Sequence, residues 1–308
     1  MMKNKIENAK KLLRSGELVI FPTETVYGLG GNANDNNAIK KIYYIKKRPK
    51  NNPIICHFSS INEIKKNFYL SKLEEHLANK LWPGPITLIL KKKNNSKISK
   101  LVSNNKPYVG CRIPKNKIAL KLLKNLSFPI AAPSANFSEK TSVTKIEDLD
   151  QKLVKRIFLI KGKQAELGLE STVIKVKNKN IEILRFGSIT PNDILKVAKQ
   201  SKVKFINNSK ISPGNLKKHY STKKSIRINV KTVKDDEGLI NFGLNKLSSK
   251  IINLNLSKKE NLKEASKNLF HYLHRLDRSK CKKIAIAPIP NFGLGLTIND
   301  RIKRASKK

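Results

Sequence analysis

The sequence predicts an α/β protein with a large domain over residues 1–200, a linker over 201–224 and a small α/β domain over 225–308. Short apolar segments of strand length alternate with segments of helical period in both domains, which is typical of helices packed on a sheet. The linker is polar and has no sustained period. A chain of 308 residues is long enough to bury two hydrophobic cores.

The elements of the large domain can be predicted in order from the N-terminus. The first helix has an apolar face through Leu13 and stops at Gly16, and a second helix ends before Pro49. Ser71 and Glu74 form a capping-box pattern that opens a third helix. Strands are predicted in the apolar segments 17–21, 53–58, 85–90, 108–113, 129–132, 157–160, 171–176 and 181–185.

Similar signals mark the end of the large domain and the small domain. Thr190 followed by Pro191 caps the last helix of the large domain. Ser257 and Glu260 predict another capping box, which opens the helix of the small domain. Strands are predicted in the segments 238–242, 250–254 and 284–288.

The net charge is +43, from 65 basic and 22 acidic residues. Such a charge favours an anionic partner such as a nucleotide or RNA, but Lys, Asn and Ile all use A/T-rich codons, so genome composition explains the excess equally well. Ten of the 65 basic residues are arginine. Because Lys serves wherever any cation suffices, the scarce arginines are candidates for sites that need a bidentate guanidinium.

Composition also argues against several classes of protein. Apolar runs are far shorter than the ~20 residues of a membrane span, and the N-terminal segment has no signal-peptide block, so we expect a cytoplasmic protein without a membrane partner. The three cysteines form no CxxC pair, which argues against a disulfide framework or a zinc finger. Alternation along its strand places Cys56 and His57 on opposite faces and predicts a buried, structural Cys56.

The segment PTETVYGLGGNA at 22–33 contains Gly28, Gly30 and Ala33 in a G-x-G-x-x-A pattern. A dinucleotide site is not favoured, because the glycines come six residues after the strand and no acid follows at the spacing that binds ribose. We expect these glycines to form a turn that approaches a ligand. The preceding Thr-Glu-Thr offers hydroxyl and carboxylate groups for a small polar substrate.

Other motifs are ordinary when each is taken alone. KKRPKNNP at 46–53 has cations at a helix end, where the macrodipole favours them, and PSAN at 133–136 is a polar turn after a strand. In order, however, PTETVYGLG, KxRPxxNP, WPGPxT, GxRxP, APSAN, EST and LRxG occur between residues 22 and 187. This ordered set resembles the YrdC-type threonylcarbamoyladenylate synthase family, and it is far more specific than any single motif.

The resemblance extends to the longer, two-domain branch of that family. SPGNLKKHY is similar to its linker, and FGLGLTINDRIKRAS is similar to its C-terminal end. The resemblance implies a YrdC-like twisted mixed sheet with flanking helices and a small Rossmann-like C-terminal domain. The implied reaction converts L-threonine, bicarbonate and ATP into L-threonylcarbamoyladenylate and pyrophosphate, with Mg²⁺ accompanying ATP. The product would pass to tRNA threonylcarbamoyl-transfer proteins.

The resemblance also implies roles for individual residues. Those expected to act in catalysis on the ATP phosphates are Lys46, Arg48, Ser134 and Asn136. Those expected to bind ATP are Arg48, Asn52, Tyr108, Ser134, Ser142, Arg185 and Tyr220. Those expected to bind threonine are Thr25, His57, Arg112, Ala132 and Ser171. No protein ligand is predicted for the metal, and a histidine satisfied within its strand is as good an interpretation of His57 as a substrate contact.

Two positions depart from the family pattern. Phe186 stands where proline is usual, and the linker has HYST where HYAP is usual. The linker hypothesis is that this segment closes over ATP, with His219 and Tyr220 in it and Tyr220 on the nucleotide. In that case the stability of the ligand-free protein would hardly depend on Tyr220.

Two other functions compete with this interpretation. One is a basic RNA-binding or ribosome-assembly module without catalysis; any RNA binding by the enzyme itself is expected to be weak and to fall with salt. A module without catalysis would not require Arg48, Ser134, Asn136 and Arg185 at these spacings. The other is a carbamoyl-transfer maturation protein with a related domain, whose companion zinc-finger cysteines are missing here.

Overall fold

A computed structural model describes residues 2–198, 201–206 and 220–307, which form two sheets with helices packed against them. Most of the predicted linker lies outside the described residues, and with it the linker residues singled out in the sequence, Pro213, Gly214, Lys217, Lys218 and His219. No helix within the described ranges is long and apolar enough to cross a membrane.

The first sheet and its helices are formed by residues before 206. Helices α1 to α7 are Met2–Arg14, Asn36–Lys46, Ile61–Asn67, Lys72–Leu81, Lys117–Leu123, Gln151–Val154 and Pro191–Val197. Strands β1 to β11 are Val19–Phe21, Gly28–Asn32, Ile55–His57, Phe68–Tyr69, Ile86–Lys92, Tyr108–Arg112, Ile130–Ala131, Phe158–Leu159, Thr172–Lys177, Asn180–Arg185 and Val203–Phe205. The strand order is β11-β10-β9-β5-β6-β3-β7-β2-β1-β8, with β4 paired to β5.

This sheet is mixed, as the sequence predicts. Strands β3 and β6 are parallel, whereas β5 and β6 are antiparallel. The capping box of Ser71 and Glu74 is confirmed, and so is the cap at Thr190, where Asp193 completes a capping box that was not predicted. Strand β11, in the stretch that composition indicates to be linker, pairs with β10 and extends the sheet.

The parallel register of β3 and β6 sorts their side chains onto two faces. Cys56 pairs with Cys111, and both are fully buried in the large hydrophobic core. His57 pairs with Arg112, and both line a cavity on the other side. The prediction that Cys56 and His57 point to opposite faces is therefore confirmed, and burial raises the pKa of the Cys56 thiol to about 12.

The glycine-rich segment is a strand, so the predicted turn is wrong. Residues Gly28–Asn32 form β2, antiparallel to β1. A Cβ atom at Gly30 would lie 2.6 Å from Cγ2 of Ile130, and one at Gly31 would lie 2.7 Å from Cδ2 of Leu18. These glycines therefore let neighbouring layers pack closely onto the strand.

The second sheet is parallel, with helices against it, in agreement with the predicted Rossmann-like domain. Strands β12 to β15 are Ser225–Ile228, Glu237–Asn241, Asn253–Asn255 and Lys283–Ile286, in the order β12-β15-β13-β14. Helices α8 and α9 are Leu262–Arg278 and Leu294–Ala305.

The predicted capping box at Ser257 and Glu260 is wrong. Helix α8 begins four residues later than that box requires, and the side chain of Asn261 caps it by accepting from the amides of Lys263 and Glu264. Ser257 instead donates to the carboxylate of Glu264 at 2.5 Å. Asn is as good an N-cap as Ser, and the nearer Asn competes successfully for the free amides.

The two domains meet along residues 167–187 of the first. Gly168 has φ +73°, and a Cβ atom there would lie 2.3 Å from the carbonyl oxygen of Ser266. Ser266 Oγ donates to the carbonyl of Leu167, and Thr297 Oγ1 donates to the carbonyl of Gly187, both at 2.9 Å. This close contact brings α8 and α9 beside the end of the first sheet where the candidate site lies.

Candidate active site

A cavity lies at the ends of β3, β6 and β7. The structure brings most of the predicted site residues to its wall. Those that line it are Thr25, Arg48, His57, Arg112, Ala132, Ser134, Ser171, Arg185 and Tyr220. Lys46, Asn52, Asn136 and Ser142 lie directly behind the wall, in contact with its residues or backbone.

One end of the cavity is organised around Arg112. Its Nη1 donates to Thr25 Oγ1 at 3.0 Å, its Nη2 to Oε1 of Glu24 at 2.6 Å, and its Nε to the carbonyl of Gly84 at 3.2 Å. Burial raises the pKa of Glu24, but the charge and hydrogen bond of Arg112 outweigh it and hold that pKa below its usual value. A guanidinium held in this way presents a fixed cationic edge to a ligand.

His57 faces the same end of the cavity. Burial and the neighbouring charge of Arg112 lower the pKa of His57 to about 3, so the ring is neutral at physiological pH. Its Nδ1 atom is buried and has no hydrogen-bond partner among the residues that the structure describes. A buried polar atom without a partner favours a ligand contact over a histidine satisfied within its strand.

Ser171 connects the two ends of the cavity. Its hydroxyl is 2.7 Å from Thr87 Oγ1, and it also accepts from Nη2 of Arg185 at 3.1 Å. Arg185 further donates to the Ser171 carbonyl from Nε and Nη2. Burial lowers the pKa of Arg185 to about 10, which leaves it a cation at neutral pH.

Arg48 provides a second cation, beside Arg185, at the end of the cavity away from Arg112. Its Nη2 donates to Oδ1 of Asn52 and to the carbonyl of Pro53, both at 2.7 Å, and its Nε donates to the Asn52 carbonyl at 3.0 Å. Burial lowers the pKa of Arg48 to about 10. Among the described residues no carboxylate forms a salt bridge with Arg48. Its positive charge is therefore available to an anion in the cavity.

Lys46 acts on the loop that carries Ser134 and Asn136 rather than facing the cavity. Its ammonium is buried and donates to the carbonyl of Ser134 at 2.5 Å and to the carbonyl of Asn136. Burial and the charge of Arg48 hold the pKa of Lys46 well below its usual value. Asn136 in turn donates to the carbonyls of Phe137 and Lys140, which closes the loop.

Tyr108 is not among the residues that line the cavity. Tyr108 begins β6 and Arg112 ends it, and four residues of strand span roughly 13 Å. The ammonium of Lys175 lies 3.9 Å from the centroid of the Tyr108 ring, on the side of the sheet edge. Tyr108 therefore lies away from the lining of this cavity, and its contact with ATP stays a prediction.

Three residues of the site lie in the quoted motifs but were not predicted to be site residues. Glu24 pairs with Arg112, Glu170 lines the cavity, and Arg301 of α9 donates to Glu170. With only 22 acids in the chain, a search for scarce acids inside motifs would have found Glu24 and Glu170. The scarcity of arginine also marks Arg301, but no local signal predicts its partner, which lies 131 residues away.

The carboxylates of the cavity are already engaged by cations. Glu24 bonds Arg112, and Glu170 bonds Arg301 and accepts from the Ser142 hydroxyl at 2.6 Å. Within the described ranges no cluster of three His, Cys, Asp or Glu residues is arranged to hold a metal. These donors fit a metal that arrives already bound to phosphate oxygens and water.

The departures from the expected motif pattern are accommodated. The Phe186 ring stacks on Phe205 of β11 with centroids 4.1 Å apart, and its carbonyl accepts from Nη2 of Arg301 at 2.6 Å. The Tyr220 ring is fully buried and stacks on Phe270 of α8 at 5.3 Å. The expectation that stability hardly depends on Tyr220 is therefore wrong, because its ring is part of the second hydrophobic core.

Comparisons with known proteins agree with this site. A family model described as "Telomere recombination" matches residues 11–187, and one described as "Threonylcarbamoyl-AMP synthase, C-terminal domain" matches residues 189–307. Proteins named threonylcarbamoyl-AMP synthase from Pyrococcus abyssi and Bacillus subtilis are each 32% identical to this chain; both alignments cover 98% of it, with 94% and 92% of the respective relatives.

A solved structure gives the same result. The structure of Pyrococcus abyssi Sua5 complexed with L-threonine superposes with a TM-score of 0.87 at 32% identity, covering 98% of this chain and 94% of that one. Likeness of this extent spans both domains. The chain belongs to the two-domain threonylcarbamoyl-AMP synthase family.

Proposed function

We propose that this protein synthesises L-threonylcarbamoyladenylate from L-threonine, bicarbonate and ATP and releases pyrophosphate. The observation that carries the proposal is one cavity with two separate cationic ends, Arg112 at one and Arg48 with Arg185 at the other. A carboxylate and a polyphosphate are the two anions that these substrates bring, and each end suits one of them.

Threonine fits the Arg112 end. The guanidinium is held by Glu24 and Thr25, so its remaining edge matches the planar carboxylate of an amino acid. Neutral His57 and the Ser171 hydroxyl supply groups for the hydroxyl and amine of threonine. Ala132 leaves room between them, since a larger side chain would fill this part of the cavity.

The polyphosphate of ATP fits the Arg48 end. Arg48 and Arg185 supply charge, Ser134 supplies a polar group, and Lys46 and Asn136 hold the loop that carries Ser134. Asn52 orients Arg48, and Ser142 reaches the wall through Glu170. Mg²⁺ would arrive with ATP and help to neutralise the phosphates, held by phosphate oxygens and water.

The reaction needs positioning and charge neutralisation more than a covalent catalyst. Bicarbonate joins the threonine amine with loss of water, and an oxygen of the resulting carbamate attacks the α-phosphorus of ATP. The bond to the bridging oxygen of pyrophosphate breaks, and the cations stabilise the charge on the transferred and leaving groups. A site made of Arg, Lys, Ser and Asn suits this chemistry, because phosphoryl and nucleotidyl transfer depend on fixed geometry.

The product would be used by tRNA threonylcarbamoyl-transfer proteins in the cytoplasm. An acyl adenylate of this kind is prone to hydrolysis, so a closed site and direct handover would both preserve it. RNA binding by this chain itself, driven by its charge of +43, would be weak and salt-dependent. A basic RNA-binding module without catalysis is not favoured, since such a module has no need of the Arg112 end of the cavity.

The decisive experiment measures pyrophosphate release from ATP by the purified protein. Release should require both L-threonine and bicarbonate, and the adenylate should be detectable by mass spectrometry. Equal release when either substrate is omitted would show a plain ATPase and contradict the proposal. D-threonine is a matched control, because it carries the same charges with the wrong geometry at Arg112.

A further inference from the structure

The C-terminal domain reaches the wall of the candidate active site through Arg301 of α9. This side chain is completely buried although its helix belongs to the second domain. Its Nε donates to Oε2 of Glu170 at 3.0 Å, and its Nη2 donates to the carbonyl of Phe186 at 2.6 Å. Both acceptors lie in the first domain, so Arg301 joins the two domains directly beside the cavity.

Glu170 needs such a partner because of where its carboxylate lies. It lines the same cavity as Arg48 and Arg185, where a polyphosphate is expected. A buried carboxylate at this place would repel phosphate and offset the two cations unless another charge neutralised it. Arg301 supplies that charge, and the Ser142 hydroxyl donates to the other carboxylate oxygen at 2.6 Å.

Arg301 also supports the aromatic part of the wall. Its guanidinium lies 5.0 Å from the centroid of the Tyr220 ring, which stacks on Phe270 of the second domain. Asp300 also accepts a hydrogen bond from Nη1 of Arg301. Burial opposes the charge of Arg301, but Tyr220, Glu170 and Asp300 outweigh it and raise the pKa of the guanidinium above its usual value.

We propose that Arg301 is a positioning residue for the nucleotide half of the active site, an assignment that rests on the proposed function. It neutralises Glu170 at the cavity wall and thereby holds Ser142 and Tyr220 in place for ATP. Threonine should depend on it much less, because Arg112 has its own carboxylate partner in Glu24. The C-terminal domain is in this way part of the ATP site and not only an attached module.

The test measures dissociation constants of two ligands by calorimetry, a non-hydrolysable ATP analogue with Mg²⁺ and, separately, L-threonine. The proteins are the full-length wild type, Arg301→Met, the double variant Glu170→Gln/Arg301→Met, and Lys303→Met. Lys303 is the matched control, since it is an exposed cation on the same helix. The double variant removes both charges, so it leaves no buried carboxylate without a partner.

We expect Arg301→Met to weaken binding of the ATP analogue by about tenfold, since the buried carboxylate of Glu170 then loses its Arg301 partner and faces the phosphates with more negative charge. Threonine affinity should stay within about threefold, and the double variant should recover ATP-analogue affinity to within about threefold of wild type. Lys303→Met should bind both ligands as the wild type does. If Arg301→Met does not fold, the double variant alone tests the proposal, and it should bind the ATP analogue within about threefold of wild type.

Three results would overturn the proposal: unchanged ATP-analogue affinity in Arg301→Met, equal weakening for both ligands, or a double variant that binds the analogue no better than the single one. The second and third would show a purely structural role. These measurements contain no bicarbonate and no turnover. A wild type that binds the analogue but releases no threonine-dependent pyrophosphate would therefore contradict the proposed function alone.

Discussion

Glu24 and Arg112 form an ion pair that is almost completely buried, with Oε1 of Glu24 2.6 Å from Nη2 of Arg112. The second carboxylate oxygen accepts from the amide of Asn116 at 3.3 Å. A buried pair of this kind contributes little to stability by itself, because desolvation offsets the attraction. Its consequence is geometric, since it fixes Arg112 at the end of the cavity where we propose that threonine binds.

Replacing Glu24 by Gln should destabilise the protein and weaken threonine binding. The free energy of unfolding at pH 7 should fall by about 3 kcal/mol, because the buried charge of Arg112 loses its partner. Since the folded-state pKa of Glu24 lies below its usual value, the difference from wild type is present above about pH 4.5 and shrinks as the pH falls through that lowered pKa. Urea denaturation at several pH values measures this difference in the free energy of unfolding. Glu17→Gln, in a surface pair with Lys41, is the control and should have no measurable effect.

Arg48→Lys should lower turnover by about tenfold, or about 1.4 kcal/mol, because a point charge cannot replace a bidentate fork. In the structure that fork is held by Asn52 and Pro53, and an ammonium could not keep these contacts. Steady-state pyrophosphate release is the measurement. The control is Arg156→Lys, an exposed position outside the cavity. Equal effects of the two changes would contradict the argument from the scarcity of arginine.

His57 should make the free energy of unfolding depend on pH in mildly acidic solution. Its folded-state pKa is about 3, below the value near 6.5 of the unfolded chain. The unfolded state thus binds the proton first as the pH falls, and stability should decline between pH 6.5 and 3 by up to about 1.4 kcal/mol per pH unit.

His57→Gln should remove this contribution to the slope, measured by denaturation at a series of pH values. His76→Gln is the matched control, because His76 is half-buried on α4 and distant from the cavity wall. A His57→Gln protein with the same slope as wild type would show that another group causes the acid sensitivity.

Tyr220→Ala should lower the free energy of unfolding by about 3 kcal/mol, since it deletes a fully buried ring from the second core. Tyr220→Phe keeps the stacking on Phe270 and should cost much less. Both variants are compared with wild type by chemical denaturation without ligands. Tyr44→Ala removes a ring that is 85% exposed and should change little. Equal stability of Tyr220→Ala and wild type would restore the idea of a loosely attached linker.

Much of this protein is determined by local features of the sequence. Alternating periods specify an α/β fold, and the capping box at Ser71 and the cap at Thr190 form as predicted because their contacts lie within four residues. Arg48, Arg112 and Arg185 stand out because arginine is scarce, and all three reach the cavity. Side-chain chemistry and short-range spacing are properties that a sequence displays directly.

Other features depend on which distant segments meet, and only the tertiary structure decides them. The segment Gly28–Asn32 becomes a strand because Leu18 and Ile130 pack where its side chains would be. Tyr108 lies at the other end of its strand from Arg112 and does not line the cavity. Arg301 reaches Glu170 because α9 packs on the first domain, a contact between residues 131 apart that no local pattern encodes. Burial, which sets the charge state of every group in the cavity, likewise exists only once the chain has folded.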